Sequence, residues 1–192
     1  MIGLTSSFLL LLLLLSTTSP VASSATHRAC HRNPDIVHRT CHHSAATDPN
    51  VNYTLCVESL GSSPKSKSAN LRGLALLSLR LAKAEAKRAK ARAKEALREV
   101  HDGGDRYLES CLATCLELYA GANAALGESI KMVKQGKYGD ANVHVSGSVD
   151  APGVCEGSFK EGGRASPLGK ENHRLFQLTL SITSMNIVRA LN

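Results

Sequence analysis

The chain reads as an all-α protein: an up-down-up-down four-helix bundle with a disulfide-closed helical hairpin at its N-terminal end. Three observations predict this. Two long segments repeat apolar residues at spacings of three and four, the period of an amphipathic helix. No segment alternates with period two over enough residues to build a sheet. Six cysteines, an even set, lie in a chain with a leader of secretory type.

The leader comes first in the chain. Phe8 to Leu15 is an unbroken apolar run, Leu at every position after Phe8. It is too short to span a bilayer, which takes about 20 apolar residues. Small residues come next, and Ser23 and Ala25 suit signal peptidase. Residues 1–25 are therefore expected to be a signal peptide cut after Ala25, although no Lys or Arg precedes the apolar run. Residues 26–192 are expected to form one domain: a helical hairpin over 26–61, a linker over 62–69 and the bundle over 70–192. A second long apolar stretch is missing, so no membrane partner is expected. The leader carries no charged side chain, which leaves the whole formal charge of +7 on the domain.

Within 26–61, Asp48-Pro49-Asn50 marks a turn, and two short helical pieces around it would bring Cys41 and Cys56 together. Asn52-Tyr53-Thr54 is a glycosylation sequon and places that loop at the surface. Gly, Pro and Ser residues fill the linker, and Ser68 or Asn70 can cap the first bundle helix. That helix, the clearest in the chain, carries Ala75, Leu79, Ala82, Ala86, Ala89, Ala93, Ala96 and Val100 on one seam, whose small side chains let a neighbour approach closely. It ends at His101-Asp102-Gly103-Gly104, and Asp105 starts the next, with Leu108, Leu112, Cys115, Tyr119, Ala122, Leu126 and Val133 on one row up to Gly136. A third helix is expected from Tyr138 to Phe159, interrupted by Gly147 and kinked or broken near Pro152. The last is expected from Lys170 to Leu191, with Leu175, Leu178, Ile182 and Met185 in a row and Leu180, Ile187 and Leu191 beside it.

Chemistry-bearing clusters are few. His38, His42, His43, Cys41 and Cys30 gather near the N-terminus, but oxidised cysteines are poor zinc ligands, so no metal is expected there. Cys111 and Cys115 stand one helical turn apart inside a helix, not as a C-x-x-C at a helix start. One is structural; the other is free or paired with Cys30. No Ser-His-Asp order, Gly-rich phosphate loop or H-E-x-x-H is present, and scattered carboxylates on a bundle offer no cleft for acid–base work. No catalytic residue and no cofactor are expected. The segment Arg80 to Arg98 holds eight Lys or Arg against two Glu. Arg80, Lys83, Lys87, Lys90 and Lys94 form a stripe whose like charges at i,i+4 repel and would welcome an acidic polymer. Nucleic acid suits the charge but neither the secretion nor the absence of Trp.

Four stretches then carry a resemblance: DIVHRTCHHSAATDPNVNYTLCVESLG, CLELYAGANAAL, KYGDANVHVSGSVDAPGVCEGSFKE and SPLGKENHRLFQLTLSI. Together they resemble the plant invertase and pectin methylesterase inhibitor family, which includes a plane-tree pollen allergen. The likeness spans the domain except Arg80–Arg98. It implies disulfides Cys41–Cys56 and Cys115–Cys155, with Cys30 and Cys111 as extras. It implies a secreted inhibitor of the apoplast or cell wall, with an invertase as protein partner and a pectin methylesterase as the alternative target. A wall polyanion-binding protein without an enzyme target is a further alternative, with pectin held by the stripe. Cell-wall invertase inhibitors of the family carry Pro-Lys-Phe just before the third bundle helix, and it enters the substrate pocket. The matching residues are Gly136, Lys137 and Tyr138, so the resemblance makes these the inhibitory tip and suggests that Gly136→Pro would stiffen it productively. The esterase inhibitors instead lay helix faces over the enzyme's cleft.

Overall fold

The structure, a computed structural model, describes residues 36–184, which belong to one unit, Asn33–Asn192. The expected signal peptide, Cys30, Met185, Ile187 and Leu191 lie outside the described residues.

Helix α1 (Ile36–Thr47) and helix α2 (Tyr53–Gly61) form the hairpin. Asp48 Oδ1 accepts from the Asn50 backbone N–H at 2.9 Å, which tightens the turn as an Asx side chain does. Asn52 caps α2 by accepting from Leu55 N–H at 3.0 Å. Val37, Cys41, Cys56 and Leu60 face inward, and Cys41 is bonded to Cys56 with Cα atoms 5.8 Å apart.

Helix α3 (Leu71–Gly103) buries the predicted seam: Ala75, Leu79, Ala82, Ala86, Ala89 and Ala93 are all at most 1 % exposed. Asn70, not Ser68, caps it through Gly73 N–H at 2.8 Å, and Gly104, in the left-handed region at φ 73°, ends it. Asp105 then caps helix α4 (Arg106–Lys134). A join this short returns α4 antiparallel along α3, and the two form the main interface of the bundle. The pairing is complementary in size. Small Ala side chains on α3 leave room for Leu112, Tyr119 and Leu126 of α4, all fully buried. Each buried Leu contributes about 2 kcal/mol relative to exposure.

The break expected near Pro152 is present, whereas Gly147 and the linker differ from expectation. The third bundle helix is two helices, α5 (Tyr138–Val149) and α6 (Ala151–Glu161). The break falls at Asp150, because Pro152 in the first turn of α6 has no N–H to give the Ser148 carbonyl. Gly147 does not interrupt α5; it sits within it. The expected linker contains a 3-10 helix, Pro64–Ser68, with Ser66 buried and donating to the Ser63 carbonyl at 2.7 Å. The segment is packed against α1, α2 and α3.

Helix α7 (Gly169–Ser184) closes the bundle against α3, α5 and α6 with Leu175, Leu178 and Ile182 buried. It also holds the hairpin in place. Buried Gln177 donates to the Asn50 carbonyl at 3.0 Å and accepts from Asn52 N–H at 2.8 Å. Among the described residues there is no strand, and no helix is long and apolar enough to cross a membrane.

Candidate functional site

The tip proposed by resemblance lies at the α4–α5 corner. The last turn of α4 closes with Gly136 N–H on the Val133 carbonyl at 3.2 Å and Lys137 N–H on the Met132 carbonyl at 2.9 Å. This is the Schellman arrangement, which requires a left-handed residue, and Gly136 supplies it at φ 78°. Proline, fixed near −65°, cannot take that conformation and has no N–H for Val133. The geometry therefore argues against productive stiffening by Gly136→Pro, because glycine here is what forms the corner.

Lys137 is exposed and immediately precedes α5, with no side-chain cap bond of its own. Tyr138 is half-buried. It lines a small void with Leu79, Val133, Ala141, Asn142, Val145 and Ile182, so its ring anchors the corner on the core and only part of it reaches solvent. Two cations that the sequence did not single out join Lys137. Arg72 reaches from the start of α3 to donate to the Lys134 carbonyl at 2.6 Å, and Lys134 is itself exposed. A guanidinium on a last-turn carbonyl suits the negative end of a helix. The contact links residues 62 apart in sequence, so no local pattern announces it.

The basic stripe is also redrawn. Arg80, Lys87, Lys90 and Lys94 are exposed. Lys83 is half-buried and leans over α4, where a Cβ on Gly127 would stand 2.6 Å from its Nζ. Gly127 thus leaves room for the amine. Next to it, Glu128 is held below the usual carboxylate range, chiefly by its 2.7 Å hydrogen bond from Lys131, with lesser contributions from His144 and Lys83. Arg88 and Arg92, two cations of the same segment outside the stripe, are paired with carboxylates. Arg88 bonds buried Glu85, which Arg174 of α7 also approaches at 3.5 Å. Arg92 bonds Glu95 at 2.9 Å and Glu99 at 3.4 Å.

The other singled-out residues are structural. His38 Nδ1 stands 2.9 Å from the Tyr53 hydroxyl, and no group of His, Cys, Asp or Glu among the described residues is arranged to hold a metal. Asn52 is exposed just before α2, where its side chain caps that helix. Cys115 is bonded to Cys155 with Cα atoms 4.9 Å apart, tying α4 to α6. Cys111 is a buried free thiol that donates to the Ser158 carbonyl at 3.3 Å.

Around the second disulfide lies a polar knot invisible in the sequence. The buried Tyr119 hydroxyl donates to Asn172 Oδ1, and Asn172 Nδ2 donates to Glu156 Oε2 at 2.6 Å. Burial first, then the Glu156 and Glu171 charges, raise the Tyr119 phenol well above the ordinary tyrosine range. The neutral phenol is thus favoured by folding. Its stabilisation is present below the unfolded value of about 10 and is lost as pH rises beyond it. Tyr119→Phe leaves the Asn172 carbonyl short of a donor and is expected to cost about 1–3 kcal/mol. It should also flatten the alkaline fall in stability, as measured by urea unfolding from neutral to alkaline pH. An unchanged alkaline profile would show that Tyr119 does not set it.

An all-α bundle closed by two disulfides, presenting a cationic corner and charged helix faces, is a scaffold for binding a macromolecule. Comparison with known proteins agrees. Residues 35–185 match the family model described as plant invertase/pectin methylesterase inhibitor. The protein of Platanus orientalis named "Putative invertase inhibitor" is 41% identical over 155 residues, covering 79% of this chain and 89% of that one. The pectinesterase inhibitor of Actinidia deliciosa is 34% identical over 109 residues, 57% of each chain. The crystal structure of a mutant form of an Arabidopsis pectin methylesterase inhibitor superposes with a TM-score of 0.61 at 23% identity, over 75% of this chain and 94% of that one; it shares the fold. The chain belongs to the plant invertase/pectin methylesterase inhibitor family, and it is an enzyme inhibitor by that membership.

Proposed function

We propose that residues 26–192 form a secreted inhibitor of a plant cell-wall or vacuolar invertase, acting through the α4–α5 corner. The exposed, cationic Lys137 carries this reading. Invertases are glycosidases, whose pockets commonly hold a carboxylate pair. An ammonium delivered into such a dry pocket makes a strong charge-assisted contact. Arg72 and Lys134 add positive charge at the same corner, which speeds encounter with an acidic mouth. Tyr138, half on the core, holds Lys137 in position more than it fills the pocket. The greater identity to the Platanus protein than to the Actinidia one supports invertase. The apolar leader and the disulfides support secretion.

Lys137→Ala is expected to weaken invertase binding by about 2 kcal/mol or more, roughly thirtyfold, because a pocket carboxylate loses its partner. Titration of the purified protein against an invertase and a pectin methylesterase, at the mild acidity of the plant wall, tests it. Esterase inhibition that falls on Lys137→Ala while invertase inhibition survives would reverse the target.

A second reading has its own observation. Between α4 and the α5–α6 segment runs a groove with Glu117 and Asp150 at its rim and Leu118, Gly121 and Gly147 along it. Val143 and Val154 stand 72% and 53% exposed on α5 and α6. A helix face of this kind suits contact with a broad enzyme surface, as an esterase inhibitor would need. The same titration separates the two.

A further inference from the structure

We propose that one flank of α3 is a binding site for a linear polycarboxylate, of the kind de-esterified pectin presents, separate from the inhibitory corner. The charges of α3 are sorted. At about 100° per residue, Arg80, Lys87, Lys94 and Arg98 fall within about 40° of one line, and Lys83 and Lys90 lie beside it. The four cations on that line and Lys90 are exposed. Glu85, Glu95 and Glu99 of α3 lie away from this line and are already engaged: Glu85 with Arg88 and Arg174, Glu95 and Glu99 with Arg92. Between Arg80 and Arg98 the cationic flank therefore carries no acidic side chain of its own helix. Facing carboxylates from α4 sit toward its two ends. Glu128 is bonded to Lys131 at 2.7 Å, and Glu109 lies 3.1 Å from His101.

The array is long and regular. Arg80, Lys87 and Lys94 recur about every 10 Å, and Arg80 to Arg98 spans about 27 Å. It runs into a groove where Arg98 and His101 of α3 meet Arg106, Glu109 and Ser110 of α4 over Leu97 and Ala113. A compact anion would use one or two of these cations; only an extended polyanion uses the row. Five cations held on a helix of 33 residues repel one another, and a polyanion relieves that repulsion. No Phe, Tyr or Trp occurs anywhere in α3. Nucleic acid binding leans on base stacking against aromatic rings, so an acidic polysaccharide fits better. Its carboxylates need only charge and hydrogen-bond donors.

The test uses the disulfide-bonded protein on immobilised polygalacturonate, eluted with salt. Lys87→Gln/Lys90→Gln/Lys94→Gln should bind roughly a hundredfold more weakly near physiological salt, about fivefold for each cation removed from an anionic surface. Gln is a good helix former, so the helical circular dichroism should persist. Lys65→Gln/Lys67→Gln/Lys160→Gln removes the same charge from exposed positions elsewhere and should bind like the parent. Fully methyl-esterified pectin should not retain the protein. Inhibition of the target enzyme should be unchanged in the stripe variant, which keeps this result apart from the inhibitor reading. Equal weakening in both variants would reduce the effect to net charge, and no weakening in the first would overturn the site. Tighter retention by single-stranded nucleic acid at the same salt would replace the polycarboxylate with another ligand.

Discussion

Gly136→Pro is expected to lower stability by about 4 kcal/mol, which in a domain of this size is a fall in Tm of roughly 10 °C. Two costs combine. The corner needs φ 78°, and proline holds φ near −65°, so the chain must leave the Schellman geometry or distort it. The Gly136 N–H now bonded to the Val133 carbonyl at 3.2 Å also disappears. Once the corner opens, Tyr138 loses its seat against Leu79, Val133 and Ile182. Gly136→Ala keeps the N–H and meets no neighbour within 4 Å, so it should cost only about 1–2 kcal/mol, the left-handed penalty of a side chain. Thermal and urea unfolding of the pair measures this. A proline variant as stable as the alanine one would mean that the corner tolerates another path. Enzyme titration of the Ala variant then shows whether the backbone at 136, as distinct from the Lys137 charge, shapes inhibition.

Removing the α4–α6 disulfide as Cys115→Ala/Cys155→Ala is expected to cost about 4 kcal/mol on loop-closure entropy alone. The bond closes a separation of 40 residues. Opening Cys41–Cys56, with a separation of 15, should cost less, about 3 kcal/mol. The larger loss has a second source. Tyr119 Oη lies 2.9 Å from Cys155 Sγ and bonds Asn172, so the knot loosens with the disulfide. Both cysteines are replaced together because a lone Cys115 thiol would stand one turn from the free Cys111. Unfolding in urea measures the difference. Non-reducing peptide maps of the parent should recover Cys115–Cys155 and an unpaired Cys111 that resists thiol reagents in the folded protein and reacts on unfolding. A Cys111–Cys155 fragment would contradict the observed bridge.

Helices, seams and turns were legible because their signals are local. Ala75 through Ala96 repeat at helical spacing and are buried; Asn70 and Asp105 cap the helices they precede; Gly104 and Gly136 end the helices before them. The break in the third bundle helix was legible only approximately. Proline marks a boundary, but the missing hydrogen bond lies a turn upstream, so the chain breaks at Asp150. The apolar row of α7 was legible, but the polar residues buried beside it were not. Gln177, Thr179 and Ser181 look like a wet face and are buried. Thr179 and Ser181 return their hydroxyls to carbonyls of their own helix at 2.8 and 2.7 Å.

Spacing and composition by themselves determined the all-α fold class, the helix seams, the hairpin turn and the cationic segment of α3. Tertiary structure alone decided how those cations divide. Arg88 and Arg92 are paired with carboxylates, and Lys83 leans across Gly127. It alone brought Arg72 to Lys134, Tyr119 to Asn172, and Gln177 to Asn50 across 127 residues. The reason is physical. Periodicity defines a face from forces within a few residues, whereas the partner that covers the face is set by how whole helices pack. A side chain's hydrogen bonds and charge pairs depend on that partner.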